Sequence, residues 1–445
     1  MADDLKVFFK RLKDYDPDTH TELTLRTALE NLLNAIITQG GGDRRIEVIH
    51  EPTHDSAGGG APDFMFNLDG SIVGYLETKK IGENLDRTLK SDQIKKYKRL
   101  SDNIILTNYH EWIWIYKGDV TSREQLCYQT DLSNKKSTLD KDRAEKVLQL
   151  ISNFLTVEPQ SIDRAKDLAI ALANRCHTLR EFLEDELKRQ EKEQREGKLF
   201  GLYDTFQKNI FNELTLPEFA DAFSQMLGYG LFLGRLNAEN KKITLVNIKS
   251  FIPQSFELIR ELANFLDELN ERQYYGIKWQ VGEILSILNN LDLAALKEDL
   301  SFSKKPKKTG DEEELFAKDP YIYFYEDFLR KYDPEKSKSR GVYYTPPPVV
   351  NFIVRAINDI LKGEFGISDG LANEERVTVL DFATGTGTFL VEVFQQIFDE
   401  LPRDSGKWEL IIKEHILKNI YGFEYMIGPY TVAHLKLSQF LKDKG

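Results

Sequence analysis

The sequence has 445 residues, with 60 lysines and arginines against 72 aspartates and glutamates, which gives a net charge of −12. This length and a hydrophobic content of 41% predict two or three domains with packed cores. The two cysteines, Cys127 and Cys176, match no zinc spacing and exclude a small disulfide-stapled scaffold. The first residues are charged and no run of about 18 apolar residues occurs, so we expect a cytoplasmic protein without a signal peptide or membrane span.

The first third of the chain predicts a carboxylate cluster at a sheet edge. An amphipathic helix, "LTLRTALENLLNAI", carries Glu30 and precedes a strand from Ile72 to Lys79, in which Glu77 and Lys79 share a face. Asp63 opens a second short strand, and Asp69-Gly70 is a preferred two-residue hairpin turn between the two. Pairing these strands brings Asp63 beside Glu77, which predicts a site for Mg²⁺ and a water activated against a phosphodiester.

The residues that follow continue the same domain. In "SDQIKKYKRL" a spacing of four places Gln93 and Tyr97 on one helix face, and "NIILTNYHEWIWIYKG" predicts closing strands. The elements then follow in the order αβββαβ.

Pro62-Asp63, Glu77-Thr78-Lys79 and the QxxxY helix resemble the PD-(D/E)xK nuclease superfamily. The resemblance implies a nuclease domain over residues 1–157, with Asp63 and Glu77 binding Mg²⁺ and Lys79 orienting the attacking water or stabilising developing charge. It further implies that Glu30 contacts the metal through water and that Gln93 and Tyr97 support the phosphate or the site lysine. Because the motif is short, the alternative is that these charged residues only mark a solvated strand end and have no catalytic role.

From Asp140 to roughly Leu300 the hydrophobic period changes from two to about 3.6, which predicts an all-helical middle, and residues 158–315 are expected to form a helical connector. The helices in this middle stretch of the chain are expected in "DRAEKVLQLISNFLT", "SIDRAKDLAIALANRCHTLREFLEDELKRQEKEQREG", "LPEFADAFSQMLGYGLFLGRLNA", "FELIRELANFLDELN" and "IKWQVGEILSILNNLD". Mixed charges over residues 182–198 favour a solvated helix face, and residues 301–314 are typical of a mobile linker.

A second chemical centre is predicted at "VTVLDFATGTGTFLVEVFQQIF". There an apolar strand ends in Asp381, passes a turn with Gly385 and Gly387 and enters an amphipathic helix. The third glycine of a dinucleotide fingerprint is missing, because Leu390 stands at its position. The next strand, "NIYGFEYM", ends at Glu424, a carboxylate placed to accept hydrogen bonds from ribose hydroxyls.

These segments, with "GVYYTPPPVV" ahead of them, resemble three motifs of the S-adenosylmethionine-dependent adenine-N6 DNA methyltransferases. The resemblance implies the start of a Rossmann-like methyltransferase domain over residues 316–445. It further implies that the methionine side of the cofactor is lined by Tyr343, Thr345 and Pro346, that Glu424 holds the ribose, and that the cofactor loop is shaped by Asp381, Ala383, Thr384, Gly385 and Gly387. Phe382 stands where the family usually has proline.

The family's methyl-transfer motif, [DNS]-P-P-[YF], does not occur in the sequence. In this family it contacts the adenine amine and stacks on the flipped base. We therefore expect the catalytic loop and the target-recognition domain on a longer gene product or on a carboxy-terminal companion polypeptide.

The complete layout, an α/β multidomain chain with a nuclease, a helical connector and a methyltransferase, resembles type IIG (IIL-like) restriction-modification enzymes of prokaryotes. It implies double-stranded DNA as the partner; the negative net charge does not exclude this, because residues 79–99 are rich in lysine and arginine. Two alternatives stay open: a methyltransferase-only modification protein whose nuclease fold clamps DNA, and a non-catalytic DNA-binding fragment.

Overall fold

A computed structural model gives the fold of the protein. It describes residues 2–16, 22–39, 46–50, 62–68, 71–134, 136–159, 161–193, 197–209, 212–253, 257–300, 320–334, 345–401 and 408–444. The chain is mixed α/β with a helical majority and divides into two compact units, Met1–Ser161 and Ile162–Gly445. The predicted domain boundary at 157/158 stays a prediction, and the one at 315/316 lies outside the described residues. Within the part described, no helix is long and apolar enough to cross a membrane.

The first unit is built on one sheet with helices against it. Its elements are α1 (Ala2–Lys13), α2 (Glu22–Gln39), β1 (Ile46–His50), β2 (Phe64–Leu68), β3 (Ser71–Thr78), α3 (Leu85–Leu89), α4 (Asp92–Leu100), β4 (Asn103–Thr107), β5 (Glu111–Tyr116), β6 (Asp119–Gln125), α5 (Gln129–Ser133) and α6 (Lys141–Thr156). The strands lie in the order β1-β2-β3-β4-β5-β6. Only β3 and β4 run parallel, because α3 and α4 form the crossover between them; the other pairs are antiparallel.

The predicted strand from Ile72 to Lys79 is confirmed as β3, which ends at Thr78. Its partner β2 starts at Phe64, so Asp63 lies one residue before the strand, and the register sets Phe64 opposite Leu76. The predicted turn residues Asp69 and Gly70 lie outside the described residues.

A buried polar residue, Asn103, ties the sheet of the first unit to α6. Its side-chain amide donates to the carbonyls of Val73 at 2.9 Å and Phe154 at 3.0 Å and accepts from the Trp114 indole at 2.8 Å. A Cβ on Gly74 would come within 2.4 Å of the Asn103 carbonyl, so this close approach requires glycine. The satisfied amide fixes where α6 packs on the sheet.

The second unit begins with helices. These are α7 (Ala165–Lys192), α8 (Lys198–Asn209), α9 (Leu216–Asn237), α10 (Glu257–Asn264), α11 (Tyr275–Asn289), α12 (Leu293–Asp299) and α13 (Pro320–Tyr332). The long helix α9 is apolar on all sides and lies in the centre, with α7, α10 and α11 against it. It starts at a capping box in which the Thr215 hydroxyl accepts from the Glu218 N–H and the Glu218 carboxylate accepts from the Thr215 N–H.

The predicted helical middle is confirmed in the described residues, with one difference. The segment expected as a single helix over 256–270 is α10 followed by a 3-10 helix, Phe265–Asn270. A 3-10 stretch tightens the helix end and buries Phe265, Leu266 and Leu269.

The last part of the second unit surrounds a two-stranded parallel sheet, β7 (Val379–Asp381) with β8 (Ile420–Gly422). Helices α14 (Pro347–Gly363), α15 (Thr388–Glu400) and α18 (Ile427–Lys444) accompany it, and β8 follows a short helical run made of α16 (Trp408–Ile411), a π-helical turn (Ile412–Ile416) and α17 (Leu417–Asn419). The parallel pairing sets the carboxyl ends of both strands side by side, where a ligand site of an open α/β sheet forms.

Candidate functional sites

A buried polar network lies where β3 ends. Asp63 and Glu77 are 1% and 0% exposed, and Thr78 lies between Glu77 and Lys79 on the same strand end. Burying two carboxylates is costly unless each is paired and hydrogen-bonded, so their partners decide what the network does.

Asp63 is saturated by donors from two elements. The backbone N–H of Thr78 donates to Asp63 Oδ2 at 2.7 Å, and the Thr78 hydroxyl donates to the same oxygen. Arg26, on α2, forms an ion pair with Asp63 Oδ1 at 3.0 Å, with both side chains buried. The aspartate therefore lies between the sheet and α2 with its charge compensated.

Glu77 is held by the three residues that sequence analysis placed with it. Lys79 Nζ lies 2.7 Å from Glu77 Oε1 and also donates to Gln93 Oε1 at 2.9 Å. Gln93 Nε2 donates to Glu77 Oε1 at 2.9 Å, and the Tyr97 hydroxyl donates to Glu77 Oε2 at 3.3 Å. Helix α4 presents Gln93 and Tyr97 to Glu77, and Ser91 caps its first turn.

The Tyr97 hydroxyl stays protonated over the physiological range. Burial raises its pKa well above the ordinary value, and the carboxylates of Glu77 and Asp63 raise it further. Tyr97 is therefore a permanent proton donor to Glu77.

Glu30 has a different partner. Its Oε2 lies 3.2 Å from His50 Nδ1 of β1, while Arg26, one turn earlier on the same helix, reaches Asp63. Sequence analysis missed Arg26, Thr78 and His50. A signal existed for Arg26, since a spacing of four sets it on the helix face of Glu30.

The carboxylate pair fits Mg²⁺ in donor chemistry. Mg²⁺ is bound by hard oxygen ligands, commonly one or two carboxylates, with waters and phosphate oxygens completing the octahedron. Across the described ranges no group of three or more histidine, cysteine, aspartate or glutamate residues is placed to hold a metal. Asp63 and Glu77 would therefore supply two ligands at most, and Arg26 or Lys79 would have to give way.

The second centre is the loop between β7 and α15. Gly385 and Gly387 have φ values of +55° and +80°, left-handed conformations that favour glycine. The Thr384 hydroxyl donates to the Asp381 carbonyl at 3.0 Å, and the Ala383 N–H donates to Asp381 Oδ1 at 3.2 Å. The chain thus turns sharply at the carboxyl end of β7 and opens its backbone toward a ligand.

Glu424 closes this loop from two residues beyond β8, which ends at Gly422 and not at Glu424 as predicted. Its Oε2 accepts from the Gly385 N–H at 2.7 Å, and its Oε1 accepts from the Met426 N–H at 2.7 Å. Burial raises the pKa of Asp381, and the Glu424 charge raises it further. Two carboxylates therefore meet at the ends of β7 and β8, as expected from the parallel strand ends.

The comparison with protein families decides what this part of the chain is. Residues 317–443 match the model of the N-6 DNA Methylase family. This segment is an N-6 DNA methylase domain. None of the curated proteins compared matches the chain.

Several solved structures similar to the chain are complexes with DNA or a DNA mimic. A cryoEM structure of a DrdV–DNA complex is 20% identical with a TM-score of 0.41, covering 100% of this chain and 39% of that one. A nuclease-deletion mutant of the Type ISP restriction-modification enzyme LlaGI, in complex with a DNA substrate mimic, is 18% identical with a TM-score of 0.41, covering 60% and 22%. This chain spans less than half the length of either.

The methylase domain fits S-adenosylmethionine by its acceptor groups. Asp381 Oδ2 is buried without a hydrogen-bond partner in the described structure, and Glu424 lies across the loop from it. Ribose hydroxyls and an amino acid ammonium are the donors that such carboxylates bind. These residues are therefore the ones that would hold the cofactor.

The remaining predicted cofactor residues do not belong to the loop between β7 and α15. Thr345 and Pro346 immediately precede α14, with Pro346 at its N-cap, while Tyr343 lies outside the described residues. Phe382, the departure from the family pattern, is 80% exposed beside the loop.

Sequence analysis missed three residues that support the methylase loop. A Cβ on Gly422 would lie 2.6 Å from the Thr384 hydroxyl, so β8 approaches the loop too closely for a side chain. Thr386 is buried, and the ammonium of Lys436, a fully buried residue of α18, donates to the Thr388 hydroxyl at 3.1 Å. No local pattern distinguishes Gly422 and Lys436, because Thr384 and Thr388, which they approach, are far away in sequence.

Proposed function

We propose that this chain is the amino-terminal part of a DNA restriction-modification enzyme, with a Mg²⁺-dependent PD-(D/E)xK endonuclease in the first unit and an adenine-N6 DNA methyltransferase in the second. The observation that carries the endonuclease is the hydrogen-bond network joining Glu77, Lys79, Gln93 and Tyr97, with Asp63 bound to Thr78, the residue between Glu77 and Lys79. The order of elements in the first unit, two helices, three strands, a helical crossover and a parallel strand, supports the same proposal.

In the endonuclease the protein's own groups position the reaction. Asp63 and Glu77 would hold Mg²⁺, and the chemistry that this ion would supply is the activation of a water as the nucleophile. Lys79 would hold that water or neutralise charge on the phosphate, with Gln93 fixing the ammonium at 2.9 Å. Tyr97 keeps Glu77 oriented, and Glu30 would act through a water.

In the methyltransferase the chain binds the cofactor, which supplies the methyl group for transfer to an adenine amine. Glu424 would hold the ribose and the loop from Asp381 to Gly387 would shape the pocket, with Thr345, Pro346 and Tyr343 on the methionine side. The transfer motif does not occur in this sequence, so a companion polypeptide or longer product that supplies it, with the recognition domain, is part of the proposal.

A substitution of Lys79 tests the endonuclease. Purified protein should nick supercoiled plasmid in Mg²⁺, and Lys79→Ala should reduce the rate by about 100-fold or more, since loss of a group that stabilises transition-state charge costs this much. The adjacent, exposed Lys80 offers the matched control, and Lys80→Ala should cut as the parent does. Cleavage unaltered in Lys79→Ala would refute the assignment.

A DNA clamp without hydrolysis is the second candidate. It is favoured by one observation: each oxygen of Asp63 and Glu77 already accepts a hydrogen bond or an ion pair from the protein. Mg²⁺-independent DNA binding with no nicking at any metal concentration would favour the clamp.

A further inference from the structure

A cleft of about 620 Å³ lies on the first unit, between α1 and the segment that leads into α6. It is lined by Lys6, Phe9, Lys10, Lys13, Asp14, Ser137, Thr138 and Leu139. The lining therefore holds three ammonium groups against one carboxylate, in a chain whose net charge is −12. The cleft is therefore locally positive, although the net charge of the whole chain is negative.

The three lysines form a row because they stand at helix positions that share a face. Lys6, Lys10 and Lys13 are spaced by four and three residues, which spreads them over about 10 Å of the helix axis. Consecutive phosphates of one B-DNA strand lie about twice as far apart as the axial rise of about 3.4 Å, because the strand winds around the axis, so the row spans about two consecutive phosphates. A single phosphate ion would use only part of it.

The lysines differ in how they are engaged. Lys13 donates to the Ser137 carbonyl at 2.8 Å and lies over the Phe9 ring, so it helps to hold the cleft together. Lys6 pairs with the exposed Asp3 at 2.7 Å, a contact of low strength in water. Lys10 is exposed, and within the described ranges no ion pair of it is found. Lys6 and Lys10 are thus available to a ligand at little cost.

The cleft wall favours an anionic ligand. Phe9 is buried beneath the lysines and Leu139 is half-buried opposite, and apolar walls strengthen the field of nearby charges. The exposed Thr138 adds a hydroxyl donor at the same wall. Phosphodiester oxygens are the acceptors that such a row of ammonium and hydroxyl groups recognises.

We propose that the cleft lined by Lys6, Lys10 and Lys13 binds the phosphate backbone of duplex DNA, at a place separate from the Asp63 and Glu77 network. The choice of DNA rests on the proposed function. The contact positions the duplex and reads no sequence, because backbone phosphates carry none.

The test is the salt dependence of DNA binding by the Lys6→Gln/Lys10→Gln variant, which leaves the Lys13 contact to Ser137 intact. A short fluorescent duplex is titrated in EDTA, so that cleavage plays no part. The slope of the logarithm of affinity against the logarithm of salt should become about two units shallower, and affinity at low salt should fall about tenfold or more. Thermal melting verifies the fold of each variant.

The matched control is Lys166→Gln/Lys188→Gln on α7. It makes the same charge change. Lys188 is paired with Glu184, as Lys6 is with Asp3. Lys166 is exposed, as Lys10 is. This control should keep the parent slope. An unchanged slope in the cleft variant, or an equal change in the control, would overturn the proposal.

The outcomes separate this proposal from the endonuclease. A shallower slope in the cleft variant of a protein that never nicks plasmid supports the cleft and refutes the endonuclease. A parent slope in a variant of a protein that does nick plasmid refutes the cleft alone.

Discussion

The charges of the first site balance one another. Arg26 compensates Asp63 and Lys79 compensates Glu77, and without these partners two buried carboxylates could not stay ionised at low cost. The same partners compete with a metal ion for the carboxylate oxygens. The proposed binding of a metal at this site would therefore be an exchange of one cation for another.

The Arg26→Gln variant tests this exchange. Without metal it should be less stable than the parent by on the order of 3 kcal/mol, because Asp63 is left buried without its cation. Mg²⁺ should then raise its melting temperature more than that of the parent, since the metal supplies the missing charge. The exposed Arg87 gives the control, Arg87→Gln, and equal Mg²⁺ shifts in all three proteins would contradict the exchange.

Removing the charge of Asp381 should have opposite effects on the stability of the protein and on its affinity for the cofactor. Its pKa in the folded protein is raised by burial and by Glu424, so its ionised form costs stability, and this cost grows as pH rises from the ordinary pKa through the raised one. Asp381→Asn should therefore melt at the same or a higher temperature at neutral pH.

The same Asp381→Asn variant should bind S-adenosylmethionine about tenfold more weakly, since a hydrogen bond to a charged group contributes roughly 1.5–3 kcal/mol. Calorimetry and thermal melting measure the two effects, with the exposed Asp369→Asn as control. A lower melting temperature with unchanged binding would show that Asp381 has only a structural role.

Among single residues, the sequence predicted contacts between residues of one helix or strand and missed contacts between residues of different elements. Gln93 and Tyr97 follow from helix spacing, and Glu77 and Lys79 from strand alternation. The contact of Arg26 with Asp63 depends on how α2 docks on the sheet, and Lys436 depends on how α18 packs on α15. Neither packing is encoded in a local pattern.

Among the elements, the loop from β7 to α15 depends on a left-handed backbone. Gly387 has φ +80°, and a Cβ there would lie 3.3 Å from the Ala433 Cβ of α18. Gly387→Ala should cost about 1–2 kcal/mol of stability and weaken cofactor binding, because the turn must shift.

Gly363, at the end of α14, is the control for this loop. A Cβ there meets nothing within 4 Å and its helical backbone accepts alanine, so Gly363→Ala should leave stability unchanged or raise it slightly. Chemical denaturation of both variants measures the difference. Equal stability of the two proteins would contradict the role of the left-handed turn.

The elements that sequence analysis located are those with strong periodicity, such as α9 and β3. Strand β6, "DVTSREQ", was missed because it is polar and largely exposed, and it exists through its pairing with β5. The short strand β1 was not located either, since five residues that alternate only half-buried and exposed positions give a weak signal.

On the scale of the whole molecule, the two candidate sites lie in different compact units. Asp63 and Glu77 belong to Met1–Ser161, and Asp381 and Glu424 belong to Ile162–Gly445. Two motifs far apart in the sequence predicted this separation, and each needs only its own unit to form. The two proposed activities should therefore be separable by single substitutions.

One measurement tests this account most directly: plasmid cleavage in Mg²⁺ without cofactor, with S-adenosylmethionine binding measured on the same preparations of parent, Glu77→Gln and Glu424→Ala. Glu77→Gln should lose cleavage about 100-fold or more and bind the cofactor as the parent does. Glu424→Ala should cleave as the parent does and lose cofactor affinity about tenfold or more. A parent that does not cleave, or a Glu77→Gln protein that cleaves at the parent rate, would contradict the account.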